Sequence, residues 1–293
     1  MPHSWLSFAA LLPLTLSLLP ALAASQPAPQ ALNWSADDGA RIERLSREGT
    51  RLDGAHVVIW FPPSLPRADG DALLARLDPG VEALRAKVGR HEWQSVREPR
   101  ITYYLSDDQF VSHASGRGAV FVPMARVLDG RAPFLHEATH ELLAARTPAG
   151  PGAPPPARRP LWLTEGLPDF IAQTVAAESG IREGDVFATG GLAGVDGVCA
   201  TRAATADGAV MAAAVGTLER PAALFTTDRP RFAPTFYACS FSFVKFLAGR
   251  AGLPAVVAAM GVPPSDTVSA LERAAGGPIA QLAADWRRAI GLR

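Results

Sequence analysis

The sequence predicts an α+β protein, with a small mixed β-sheet and helices in its N-terminal lobe and an all-helical C-terminal lobe. Three observations predict it. "HVVIWFPP" (His56–Pro63) and "RITYYLS" (Arg100–Ser106) are short runs of β-branched and aromatic residues, the composition of buried strands. The stretch between them carries Leu and Val at helical spacing. After Pro160 the apolar segments are helical, each with a plausible start or stop signal. Hydrophobic residues make up 48% and charged residues 19%, a balance that buries a core rather than remaining disordered. Lys plus Arg and Asp plus Glu number 28 each, so no basic field is present to hold nucleic acid or an anionic membrane surface.

Residues 1–24 read as a signal peptide. "WLSFAALLPLTLSLLPALAAS" is an apolar run ending in small residues, Ala21-Leu22-Ala23 fits a cleavage site, and "QPAPQ" is a polar exit. No Lys or Arg precedes Trp5, which leaves an uncleaved anchor as the competing reading, while Pro13 and Pro20 interrupt the run and favour cleavage. The mature chain is therefore expected to be exported, periplasmic or secreted, with no membrane partner once the signal is removed.

Residues 25–54 form a polar N-terminal segment with a short helical stretch, "RIERLSREG". Residues 55–146 read as an α/β lobe in the order β-α-β-β followed by a helix. Its first strand is stopped by prolines. Its first helix covers Ala68–Gly89, with Asp69 or Asp71 as a cap and Gly89 as the stop. "RITYYLS" is the second strand, "GAVFVPMARVL" (Gly118–Leu128) the third, and "APFLHEATHELLAAR" (Ala132–Arg146) the closing helix. Residues 147–160, rich in Gly and Pro, are a loop.

Residues 161–293 are the helical lobe. Leu161–Ser179 is its first helix, although Pro168 predicts a start near Thr164 or a bend. Gly190–Thr205 is expected as a loop, and three further helices cover Phe236–Gly252, Ser265–Gly277 and Pro278–Gly291. The two cysteines, Cys199 and Cys239, suggest one disulfide in an exported chain, with buried free thiols as the alternative. A loop of about 40 residues closed this way contributes roughly 4 kcal/mol in the chain-entropy view.

The chemistry concentrates in "FLHEATHELL" (Phe134–Leu143). His136 and His140 fall one turn apart on the same helix face, so both imidazoles can bind one zinc ion. Glu137 is placed to take a proton from an activated water. A catalytic zinc needs a third protein ligand and an open position, and Glu165 in "PLWLTEGLPDF" is the candidate. Asp169, one turn beyond, could accept the free N–H of a ligating histidine. For Glu165 and Asp169 alike, a carboxylate favoured by a helix N-terminus is the competing explanation.

His136-Glu137-x-x-His140 followed by Trp162-Leu-Thr-Glu165-Gly resembles the gluzincin metallopeptidases, the group that includes thermolysin and aminopeptidase N, and the related bacterial peptidase-MA-like proteins. The resemblance implies a zincin-like fold with the active-site helix at the junction of the lobes. It implies one zinc held by His136, His140 and Glu165, Glu137 as general base, and a peptide or protein substrate. "FYACSFSFVKFL" resembles the helix that carries the catalytic tyrosine of the aminopeptidase N relatives, through Tyr237, Phe241 and Leu247. Tyr237 would then stabilise the oxyanion. A buried aromatic with a backbone-bonded hydroxyl is the alternative. Those relatives carry a glutamate on an edge strand that holds the substrate's amino group. "GAVFVPM" in the comparable strand lacks it, which leans towards an endopeptidase whose edge strand pairs with extended peptide. From a different class, a catalytically inactive zincin-fold binding or scaffold protein would keep the same ligands.

Overall fold

The computed structural model describes residues 36–96, 100–144 and 158–292. The expected signal peptide at 1–24, the segment up to residue 35 and most of the Pro/Gly-rich loop lie outside the described residues.

The N-terminal half is built on a five-stranded sheet in the order β1-β2-β3-β5-β4. The strands are β1 (Thr50–Asp53), β2 (Val57–Phe61), β3 (Ile101–Ser106), β4 (His113–Ala114) and β5 (Ala119–Pro123). β2, β3 and β5 are parallel neighbours, and β1 and β4 run antiparallel at the two edges. The register pairs Val57 with Ile101, Ile59 with Tyr103, and Leu105 with Val122. One face is therefore uniformly apolar and joins the main core, as the period of two dictates. The other face carries a row of stacked rings, Tyr104 on Phe121 at 5.3 Å and Phe121 on His113 at 4.9 Å. Helix α1 (Ala36–Glu48) packs against β1, β2 and β3.

The α+β class is observed, with several corrections within it. β1 and β4 were not expected, because four-residue and two-residue strands carry too little pattern. The third strand stops at Pro123, and Met124–Leu128 turns into a short helix, α3. Proline lacks the N–H that would extend the ladder. β5 is also interior, flanked by β3 and β4, so the outer strand is the two-residue β4 and not "GAVFVPM". Helix α2 (Arg67–Val88) ends at Gly89 as expected, but Pro66 precedes it and neither Asp69 nor Asp71 caps it. Helix α4 is shorter than expected, Phe134–Leu143, with Pro133 before it and Ala144 leaving the helical region.

The C-terminal half is helical. It comprises α5 (Leu161–Ser179), α6 (Gly191–Ala203), α7 (Ala206–Ala214), α8 (Arg229–Ala251), α9 (Leu253–Ala258), α10 (Thr267–Ala275) and α11 (Ile279–Ala289). Pro168 neither delays nor ends α5. The flanking Trp162, Leu163, Leu167 and Ile171 are fully buried, and that burial outweighs one missing hydrogen bond. The expected loop at Gly190–Thr205 is largely α6. Its two internal glycines, Gly194 and Gly197, oppose a helix by propensity, but Val195 and Cys199 bury one side of it completely. Cys199 and Cys239 form a disulfide that ties α6 to α8. α8 begins two turns earlier than expected, with Pro234 inside it.

The described residues form one compact unit, and a continuous buried cluster runs from Leu52 on β1 to Trp286 on α11. α5 is central to it and contacts α2, α4 and α8. The α5–α8 contact depends on Gly166, where a Cβ would meet the Ser240 carbonyl oxygen at 2.4 Å. Among the described residues no helix is long and apolar enough to cross a membrane.

Candidate metal centre

α4 and α5 bring three donors together. Nε2 of His136 and Nε2 of His140 are 3.0 Å apart. Oε2 of Glu165 lies 3.9 Å from the first and 3.7 Å from the second. His136, His140 and Glu165 are the group that could hold a metal ion. The triangle drawn by those separations has its centre about 2.1 Å from each atom, the length of a bond from nitrogen to a first-row metal. Two imidazoles and one carboxylate are also a donor set such ions favour. The residues present fit a metal.

His136 is aimed by Asp169, whose Oδ1 accepts from its Nδ1 at 2.7 Å. That bond leaves Nε2 as the metal-facing nitrogen. Burial works against charge on His136, but the carboxylates of Asp169, Glu137 and Glu165 outweigh it and raise its pKa to about 10. Without a metal, the ring thus carries a proton on the side facing His140. Ligation needs the neutral ring, so a metal displaces that proton. Burial pushes Glu165 up as well, yet its contact with His140, the His136 charge and the Tyr237 phenol hold it at about 2. It is an anion at any working pH, as a ligand must be.

Glu137 follows His136 on α4 and is 7% exposed. Its side chain accepts no hydrogen bond from the described residues. Burial raises its pKa, partly offset by the neighbouring histidines. A desolvated carboxylate with open lone pairs beside a metal position is equipped to take up a proton.

Tyr237, on α8, comes within reach of Glu165, as the interaction between the two groups shows. Its ring stacks on Phe187 at 4.1 Å, and burial lifts its phenol pKa well above the ordinary value. The hydroxyl therefore remains a donor. The disulfided Cys239 follows two positions later on the same helix. α4, α5 and α8 thus supply His136, Glu137, His140, Glu165, Asp169 and Tyr237, while the Cys199–Cys239 bond ties α6 to α8.

Two residues were missed. Glu183, between α5 and α6, accepts the N–H of Leu135 at 3.0 Å and of His136 at 3.1 Å. It caps α4, which has no side-chain cap of its own. Burial pushes its pKa up to about 8, against those two N–H groups and the charges of His136 and Arg76. Nothing in "IREGD" signals this, because the helix it caps lies far away in sequence. Glu141 sits in the quoted stretch itself, but its partners are on the β4–β5 turn. It accepts from Ser115 Oγ at 3.0 Å, Gly116 N at 2.8 Å and Gly118 N at 2.7 Å. Tyr103 adds a further anchor, donating to the Phe134 carbonyl at 3.0 Å. Of the other histidines, His113 reaches Asp38 at 3.1 Å, and His91 stacks on Trp93.

Compared with known proteins, the chain matches no family model, and no curated protein is significantly similar to it.

Proposed function

We propose that the chain is an exported zinc-dependent metallopeptidase of gluzincin type, with a zincin-like fold, acting on a peptide or protein substrate. One observation carries this reading above the others. The His136–His140–Glu165 triangle is backed by Asp169 and flanked by Glu137, a buried carboxylate that accepts no hydrogen bond from the described residues. A site built only to hold an ion has no use for such a group.

His136, His140 and Glu165 would hold the zinc, which when bound supplies Lewis acidity towards water and a carbonyl group. Asp169 keeps His136 in the ligating tautomer. Glu137 takes a proton from the attacking water as its oxygen bonds to the scissile carbonyl carbon. The same carboxyl group then gives that proton to the leaving nitrogen as the C–N bond breaks. The Tyr237 hydroxyl donates to the carbonyl oxygen as negative charge builds there. The disulfide supports export, since such bonds persist in oxidising compartments.

Zinc content of the purified mature protein, beside His140→Ala and Glu165→Ala, tests the ligand set. One zinc per chain, lost or weakened in both variants, is the expected result. A wild type that holds no zinc after purification with zinc supplied would sink the proposal. Full zinc occupancy with no hydrolysis of any peptide pool would lead to the zincin-fold binding protein instead.

A further inference from the structure

Two sets of side-chain contacts tie α6 to α8 besides the disulfide, and they differ in what they reach. In the first half of α6, Asp196 accepts from Ser242 Oγ and from Lys245 Nζ, each at 2.7 Å. Lys245 also donates to the Leu192 carbonyl at 3.1 Å. Those groups fasten helix to helix. At the far end of α6, Arg202 reaches further. Its Nη1 donates to the Pro234 carbonyl on α8 at 2.8 Å and to the Phe187 carbonyl at 2.9 Å, and its Nη2 donates to the Ala188 carbonyl at 3.0 Å.

These three carbonyls flank the support of Tyr237. Pro234 stands three residues before Tyr237 on α8. The Phe187 ring stacks on the Tyr237 ring, with centroids 4.1 Å and planes 27° apart. Arg202 therefore joins the main chain beside both rings of the stack.

The turn that carries Phe187 needs such a hold. Ala188 has φ 50, the one non-glycine residue at positive φ among the described residues. Its Cβ crowds the backbone there, so neighbouring contacts must keep it in place. Asp185 supplies part of that hold, accepting from Thr189 N at 2.8 Å and from Gly190 N at 3.1 Å. Those bonds shape the turn from within, whereas Arg202 joins it to α8. The same connection is pressed against the entry to α4. A Cβ at Gly184 would meet the Ala132 carbonyl oxygen at 2.4 Å, and Glu183 caps that helix. The connection is thus anchored at α4 and at α8, and the Tyr237 ring packs against it between the two.

We infer that Arg202 is a positioning residue for Tyr237, clamping the Phe187–Ala188 turn to α8 and so fixing the direction of the phenol. This rests on the metallopeptidase reading, in which that hydroxyl meets the carbonyl oxygen as charge builds there. Arg202 acts only through the stack. A displacement of about 1 Å in a reacting geometry can cost about 100-fold in rate, so a loose stack is enough to be felt.

The test compares three variants of the zinc-loaded mature protein. Arg202→Met keeps the apolar stem and removes the donors, Phe187→Leu removes the stacked ring, and Lys245→Met cuts the other tie between α6 and α8. Two readings are taken: peptide hydrolysis, and the fluorine NMR spectrum of protein labelled with a ring-fluorinated tyrosine. The chain has three tyrosines, so the Tyr237 signal is identified by its loss in Tyr237→Phe. Arg202→Met should move that signal in the same direction as Phe187→Leu. It should lower kcat by about 10-fold to 100-fold with KM little changed, because the oxyanion exists only in the transition state. The double variant should lose no more than the larger single loss, since both residues act through one contact. Arg202→Lys, which can still donate to a carbonyl, should restore part of the rate. Lys245→Met should lower the thermal midpoint and leave both the Tyr237 signal and kcat as in wild type. An unmoved signal in Arg202→Met, additive losses in the double variant, or the same loss of kcat in Lys245→Met would overturn the inference. If Arg202→Met fails to fold, Arg202→Lys set against Lys245→Met decides by the same readings. A zinc-loaded wild type that hydrolyses no peptide would remove the metallopeptidase reading instead, and the Tyr237 signal would still show whether Arg202 orients the ring.

Discussion

The first and last turns of α4 each bury a glutamate. Glu141, at the last turn, is 0% exposed and takes three donors from the β4–β5 turn. Glu137, one turn earlier, is 7% exposed and takes none from the described residues. The two share a helix, a residue type and nearly the same degree of burial. They differ in what the neighbouring chain offers them. Where backbone N–H groups converge, the carboxylate is a clamp that fixes the helix to the sheet. Where none converge, only the neighbouring histidines offset its burial, and its oxygens keep free lone pairs. Burial accordingly raises both pKa values, but only at Glu141 do hydrogen bonds from Ser115, Gly116 and Gly118 counter it.

Exchanging the two glutamates one at a time is the sharpest way to break this contrast. Glu137→Gln should lower hydrolysis of a peptide pool by about 10²-fold to 10⁴-fold, the worth of a general base. Its zinc content should be unchanged, and its melting temperature unchanged or higher, because a strained buried charge is removed. Glu141→Ala should do the reverse. It leaves buried donors unsatisfied and should cost roughly 3 kcal/mol in chemical denaturation. An equal loss of stability at Glu137, or lost hydrolysis at full stability in Glu141→Ala, would erase the distinction.

A smaller effect belongs to Asp169, the carboxylate behind His136. Asp169→Asn should weaken zinc binding by about 10-fold to 100-fold, read by competition with a chromogenic chelator. An unchanged affinity would make the 2.7 Å contact between Asp169 and His136 incidental to the site.

The smallest effect is a pH slope at the capped end of α4. Glu183 titrates at about 8 in the fold against an ordinary value of 4.5. Between those values the folded state holds a proton that the unfolded state has lost, so stability falls as pH rises through this window. The contribution is full below the unfolded pKa and gone above the folded one. Glu183→Gln should flatten that part of the stability profile of the metal-free protein. An unaltered slope in the variant would show that the cap carries its charge throughout.

Much of the site was readable in one dimension because helices impose a fixed geometry. His136 and His140 share a face whatever surrounds them, and Glu165 and Asp169 do so on the following helix. α2 was legible from its Leu and Val at helical spacing, and α10 and α11 from their start and stop signals. The failures have physical causes. β1 and β4 are too short to carry a period, and Met124–Leu128 continues a β-like composition after a proline has ended the ladder. α6 is held as a helix by the burial of Val195 and Cys199 and by the disulfide to α8, not by its glycine-rich sequence.

The sequence by itself determined the α+β class, the metal-binding spacing on α4 and the partner pair on α5, since each depends only on the periodicity of a local element. Tertiary structure alone decided the rest. Gly166 lets α8 approach α5 closely, bringing Tyr237 to Glu165. Glu183 arrives from a distant loop to cap α4, and the β4–β5 turn occupies Glu141 while leaving Glu137 without a partner. Those relations join residues whose separation along the chain carries no period, so they exist only once the core has closed.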